Sequence, residues 1–191
     1  MTFEEYKIEA HKTAIYPVIY IKKFDSIAGK ESYIVSSWIY PAMGLLNEYL
    51  EYHYELKKTK KLFMDPDYLG FNDPLIINSE IGDVLWYISE LCFQLDIEIE
   101  FDFPDIAQPL TSTFFLENCF SKLSSLLKKA IRGDYFIYEK KEKIKKLLTH
   151  ILILLNENYF LYSLDTVAKQ NLEKLSKRQK ENKLMGDGSH R

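Results

Sequence analysis

Apolar positions recur along most of this chain every three to four residues, the spacing of helices that bury one face. Thr2 and Glu5 have the spacing of a capping box and predict a first helix from about Phe3 toward Ala14, ahead of Pro17. Residues 15–35 contain Pro17, Gly29 and a β-branched, aromatic run, and read as an irregular connection. Ser36 and Ser37 offer a cap for a second helix from about Trp38 to Lys58, with Pro41 tolerated in its first turn. The stretch 59–74, with Pro66, Gly70 and Pro74, reads as a loop with Lys60 and Lys61 at its start.

A third helix is expected from about Leu75 to Ile97, and Pro104 and Pro109 mark the next break. The fourth covers Thr113 to Ile131 and ends at Gly133; the fifth covers about Tyr138 to Asn158. Ser163 can cap a sixth, about Leu164 to Lys180. These elements predict an all-α fold: a bundle of about five to six helices with a four-helix core. One domain is expected to span 1–191, with 181–191 a flexible tail.

Composition narrows the class. A chain of 191 residues and 22.6 kDa suits one domain, and 47% hydrophobic with 28% charged residues excludes a disordered polyelectrolyte. Seven Gly and six Pro are too few to punctuate the many short strands of a sandwich or barrel. No apolar run reaches the ~18 residues of a membrane span, and the opening MTFEEYK lacks the basic, apolar character of a signal peptide, so a cytoplasmic protein without membrane attachment is expected. The net charge of −3 gives no general attraction to nucleic acid, although residues 169–191 hold 7 Lys and Arg against 3 Asp and Glu. Cys92 and Cys119 have no CxxC spacing and read as buried small hydrophobes.

Acidic residues supply the candidate chemistry. Glu48, Glu51 and Glu55 fall within a ~60° arc of the second helix, and Gly44 lies on the same stripe one turn earlier and leaves space beside it. Alone, such a stripe describes a wet helix face. The third helix is apolar around nearly its whole circumference, and its narrow polar arc holds Glu80, Asp83, Tyr87, Glu90 and Gln94. Carboxylates on so buried a helix need a partner or a metal, because an isolated buried charge is costly to desolvate. If the two helices pack antiparallel, ExxE (Glu48, Glu51) and ExxD (Glu80, Asp83) face each other. Like charges ~5 Å apart repel by roughly 3 kcal/mol per pair at an effective dielectric near 20, so a cation is required between them. An all-oxygen set suits Mg²⁺ or Mn²⁺. A di-iron carboxylate centre would need Glu-x-x-His pairs, which His11, His53, His150 and His190 do not form.

Asn171, Lys174 and Arg178 share an arc of the sixth helix with Leu164, Val167 and Leu175, its inward side. Cations there suggest a phosphate site, with Lys174 as a point charge, Arg178 as a fork and Asn171 as a neutral donor; long side chains snorkelling from a packing edge give the same pattern.

Taken in order, GLLNEYLE at 44–51, EIGDVLWYISEL at 80–91, NLEKLSKR at 171–178 and the closing GDGSHR at 186–191 resemble the all-α nucleoside triphosphate pyrophosphohydrolases, the MazG-like superfamily to which dimeric dUTPases are related. The first two are similar to that family's GLxxExxE and ExxD helices, and EYKIEAHKTAIYP at 5–17 is similar to the start of many phage and bacterial members. Residues 98–162 carry no such anchor, and Asn47 and Leu50 stand where many members have small residues.

The resemblance implies hydrolysis of a (d)NTP to (d)NMP and pyrophosphate, clearing a particular or aberrant nucleotide from the pool. It implies Mg²⁺, with Mn²⁺ as a substitute, held by Glu48, Glu51, Glu80 and Asp83. Glu48 or Glu51 would take the proton of the attacking water, and Asn171, Lys174, Arg178 and Arg191 would meet the phosphates. A homodimer or homotetramer is implied as well. Trp38, Trp86 and Tyr87 are candidates either for stacking on a base or for core packing. No GxxxxGK[ST] phosphate loop is present, which disfavours an ATP-driven motor. The competing expectation is a non-catalytic, nucleotide-binding or oligomeric helical bundle.

Overall fold

The computed structural model describes residues 1–16, 20–25, 30–35, 37–63, 73–103, 113–157 and 162–184. Among them are six α-helices: α1 (Phe3–His11), α2 (Ile39–Phe63), α3 (Asp73–Gln94), α4 (Thr113–Arg132), α5 (Lys141–Glu157) and α6 (Leu164–Lys180). They form an all-α bundle around α3, which packs against α1, α2, α5 and α6, while α4 lies on α2 and α5. The central position follows from sequence: Ile81, Val84, Leu85, Ile88, Leu91 and Cys92 are all fully buried, and only a helix apolar on most sides can be enclosed by four neighbours.

Residues 15–35 depart from the expected irregular connection. Strands β1 (Tyr20–Asp25) and β2 (Lys30–Val35) pair antiparallel, with Tyr20 opposite Val35 and Asp25 opposite Lys30. Both are rich in the β-branched and aromatic residues that strands favour.

Helix boundaries track local chemistry. The capping box at α1 is complete: the Thr2 hydroxyl accepts from the Glu5 amide at 3.1 Å, and the Glu5 carboxylate accepts from the Thr2 amide at 2.8 Å. Helix α1 stops at His11, short of the expected Ala14. Helix α2 continues through Lys60 and Lys61 to Phe63, beyond the expected end at Lys58, because TKKLF contains no breaker. Pro66 and Gly70 of the expected loop, the Ser36 cap, and Pro17, Pro104 and Pro109 lie outside the described residues.

Helix α3 begins at Asp73, with Pro74 in its first turn, and ends three residues before the expected Ile97. Asp96 takes a φ of 53°, and the Ile97 amide donates to the Cys92 carbonyl at 2.8 Å, closing the helix with a left-handed residue that is usually glycine. Gly133, at a φ of 90°, performs that job after α4, as its sequence position predicts. A single 3₁₀ turn at Ile137–Lys140 leads into α5, and the Ser163 hydroxyl caps α6 by accepting from the Thr166 amide at 3.2 Å. Cys92 is buried as expected, whereas Cys119 is only partly so.

Candidate functional site

Antiparallel packing of α2 on α3 brings two of the acidic turns together. Glycine sets the distance. A Cβ placed on Gly44 would lie 2.0 Å from the Tyr87 ring, so only a residue without a side chain lets that ring lie against α2. One turn further along α2, Glu48 meets Glu80 and Asp83: one carboxylate oxygen from each lies within 4.8 Å of the other two. Ligand oxygens on an octahedral Mg²⁺ stand about 3–4 Å apart, so small side-chain rotations would seat an ion among these three. The all-oxygen donor set fits such a cation.

Glu51, the fourth expected ligand, is not part of this group. Its side chain is exposed and accepts a 2.6 Å hydrogen bond from the Asn47 amide, four residues back. Glu55 points elsewhere too, accepting from Lys58 at 3.1 Å.

Helix α6 supplies the counter-charge. Lys174 donates to Asp83 Oδ1 at 2.5 Å, and Asn171 donates to the same oxygen at 3.1 Å. Asn171 is buried and its own carbonyl oxygen accepts from the Tyr6 hydroxyl at 2.8 Å, so α1, α6 and α3 are tied in one chain of bonds ending on Asp83. The Tyr6 phenol keeps its proton: burial, then the nearby charges of Asp83 and Glu90, push its pKa well up, and it remains a donor. A second glycine permits this approach, since a Cβ on Gly82 would come within 2.9 Å of the Asn171 amide nitrogen.

Electrostatics set Glu48 apart. Burial, followed by the charges of Asp83, Glu51 and Glu80, pushes its carboxyl up to about 8, with Lys174 pulling the other way. Gathered acids of this kind favour either a retained proton or a cation.

Glu48 and Asp83 also form one side of a cavity of about 140 Å³. Tyr16, Tyr40, Trp86 and Tyr87 line it, with Arg178 beside them. Tyr16 and Tyr40 stack with centroids 4.8 Å apart and planes 20° from parallel, and the Trp86 indole is held by donating to the Thr13 hydroxyl at 3.0 Å. Trp38, by contrast, is in the core. Asn171, Lys174 and Arg178 therefore all lie near the carboxylates, and Arg191 is outside the described residues.

Sequence reasoning missed Tyr6, Tyr16, Tyr40 and Gly82. The glycine carried a signal: in a helix interior it costs about 1 kcal/mol relative to alanine, so its place amid the apolar residues of α3 called for a packing reason. The aromatic residues carried none, because tertiary contact alone brings them to the site.

No protein-family model matches this sequence, and no solved structure matches it. The chain is 35% identical over 98 residues to the Gene 37 protein of Mycobacterium phage L5, an alignment covering 51% of this chain and 75% of that protein. At that identity and coverage, the chain belongs to the family of this phage protein.

Proposed function

We propose that the protein is a Mg²⁺-dependent nucleoside triphosphate pyrophosphohydrolase that converts a (d)NTP to (d)NMP and pyrophosphate and so removes a nucleotide from the pool. The observation carrying this reading is the convergence of Glu48, Glu80 and Asp83, from two helices, beside the cations of a third. Aromatic faces next to those carboxylates suit a base-bearing phosphate ester, and the resemblance to MazG-like enzymes adds a reaction in which such parts have roles. Homodimeric or homotetrameric assembly and a cytoplasmic setting belong to the same proposal.

In this reading Glu48, Glu80 and Asp83 hold the ion, and Glu51 joins them by turning from Asn47. A bound Mg²⁺ would supply charge neutralisation for the triphosphate and lower the pKa of a water. Glu48 or Glu51 accepts the proton of the water attacking phosphorus. Lys174 and Arg178 place positive charge where the departing diphosphate gathers negative charge. Asn171, anchored by Tyr6, fixes the orientation of Asp83.

One observation favours a second reading. Lys174 already neutralises Asp83 at 2.5 Å, which is what a non-catalytic, nucleotide-binding bundle with an internal ion pair would show. Purified protein with Mg²⁺ and a panel of common and modified nucleotides separates the two. Hydrolysis predicts release of pyrophosphate that Glu48→Gln and Asp83→Asn abolish; calorimetric nucleotide binding without any product supports the bundle.

A further inference from the structure

Between α3 and α6, behind Asp83, lies a second cavity of about 150 Å³. Asn78, Ser79 and Gly82 line it from α3, and Gln170, Asn171 and Lys174 from α6. It contrasts with the aromatic cavity in its charge: among the described residues no carboxylate lines it, and Lys174 is the charged group there.

Its polar groups have hydrogens to give. The Asn78 side chain is only 6% exposed, and its amide nitrogen has no hydrogen-bond partner among the described residues. Leaving such a donor buried and unmatched is unfavourable, and an acceptor in the cavity would relieve it. Ser79 accepts from Lys174 at 3.4 Å and so keeps its hydroxyl proton to donate. Asn171 uses one amide hydrogen on Asp83 and has a second. Amide and hydroxyl donors, together with an ammonium shared with Asp83, describe a receptor for a compact anion with several acceptor oxygens.

We infer that this cavity binds a phosphoryl oxyanion, through Asn78, Ser79, Gln170 and Lys174. Its anion class rests on these donors alone. Its identification with the diphosphate end of a nucleotide rests on the proposed hydrolysis, because Lys174 and Asn171 touch both this cavity and Asp83. A cation on Asp83 would free Lys174 from its present partner and leave the ammonium for the anion, so the two sites would fill together.

The test is calorimetric titration of the full chain with inorganic pyrophosphate, and separately with orthophosphate, in Mg²⁺ buffer. Asn78→Asp and Gln170→Glu each place a negative charge at the cavity and are expected to weaken binding at least tenfold. Gln179→Glu, an equal charge further along α6, is expected to leave it within twofold. Gln170 is exposed, so its variant reports even if Asn78→Asp does not fold. Absence of binding of either anion to the unsubstituted chain, or unchanged binding in Gln170→Glu, overturns the inference. Binding of orthophosphate as tight as pyrophosphate supports the cavity while separating it from the diphosphate role. Nucleotide turnover, assayed alongside, tests hydrolysis separately: anion binding that responds to these variants without turnover keeps the cavity and removes the proposed reaction.

Discussion

Helix α3 carries two settings for carboxylates about two turns apart, and they differ in what surrounds them. Glu90 is fully buried and surrounded by donors: the Tyr16 hydroxyl donates at 2.6 Å, and the His11 Nδ1 lies at 3.0 Å. Gln94 holds Tyr16 from behind at 2.8 Å, and the His11 ring lies flat on Phe93 with centroids 3.4 Å apart. Glu80 and Asp83 on the same polar arc instead meet a third acid, Glu48. A buried carboxylate whose neighbours all donate needs nothing further and serves the fold. Three acids beside the single ammonium of Lys174 keep an excess of negative charge unless a proton or cation is added, so the second setting is the one that can take a ligand.

The largest expected effect separates the two settings by activity. Glu48→Gln and Asp83→Asn should lower pyrophosphate release by about a hundredfold or more, and Glu90→Gln should leave it within a few-fold. Equal losses in all three would erase the distinction.

Stability should show the reverse order. Glu90→Ala strands the donors of His11 and Tyr16 and should cost about 2–3 kcal/mol in urea unfolding. Glu48→Gln replaces a carboxyl that keeps its proton at neutral pH with a neutral amide and should leave the metal-free protein about as stable as before. Gly44→Ala forces the Tyr87 ring away and should cost about 1–3 kcal/mol, with activity falling as α2 is pushed off α3 at the site. A fully stable, active Gly44→Ala protein would show that the close approach is unnecessary.

A pH dependence accompanies these effects. With Glu48 held near 8 in the fold against an ordinary value of 4.5, the folded protein keeps a proton that the unfolded chain releases. Its contribution is fully present below the lower value and is lost as pH rises through about 8, so metal-free stability should fall across this window. Glu48→Gln should flatten the slope. Mn²⁺, which binds the deprotonated acid, should protect more strongly as pH rises. A metal-free stability curve unaffected by Glu48→Gln would contradict the raised value.

Much of this was legible in the chain. Six helices follow from apolar spacing and from caps such as Thr2, Gly133 and Ser163, whose effects are local. The two acidic turns were legible because Glu80 and Asp83 sit on a helix with almost no other polar positions. What could not be read depends on partners distant in sequence. Glu80, Asp83 and Glu90 look alike along α3, and only the arrival of α2 at one end and α1 at the other divides them. Glu51 has the same spacing logic as Glu48, yet a neighbouring amide, Asn47, claims its side chain. The end of α3 was misplaced because Asp96 adopts a conformation that sequence associates with glycine.

Mn²⁺ binding followed by electron paramagnetic resonance at near-neutral pH tests the central claim most directly, because it reads the ion itself and requires no substrate. The unsubstituted protein should bind Mn²⁺ at a site that weakens at least tenfold in Glu48→Gln and in Asp83→Asn and is unchanged in Glu90→Gln. No Mn²⁺ bound by the unsubstituted protein, or equal binding by all four, would contradict it.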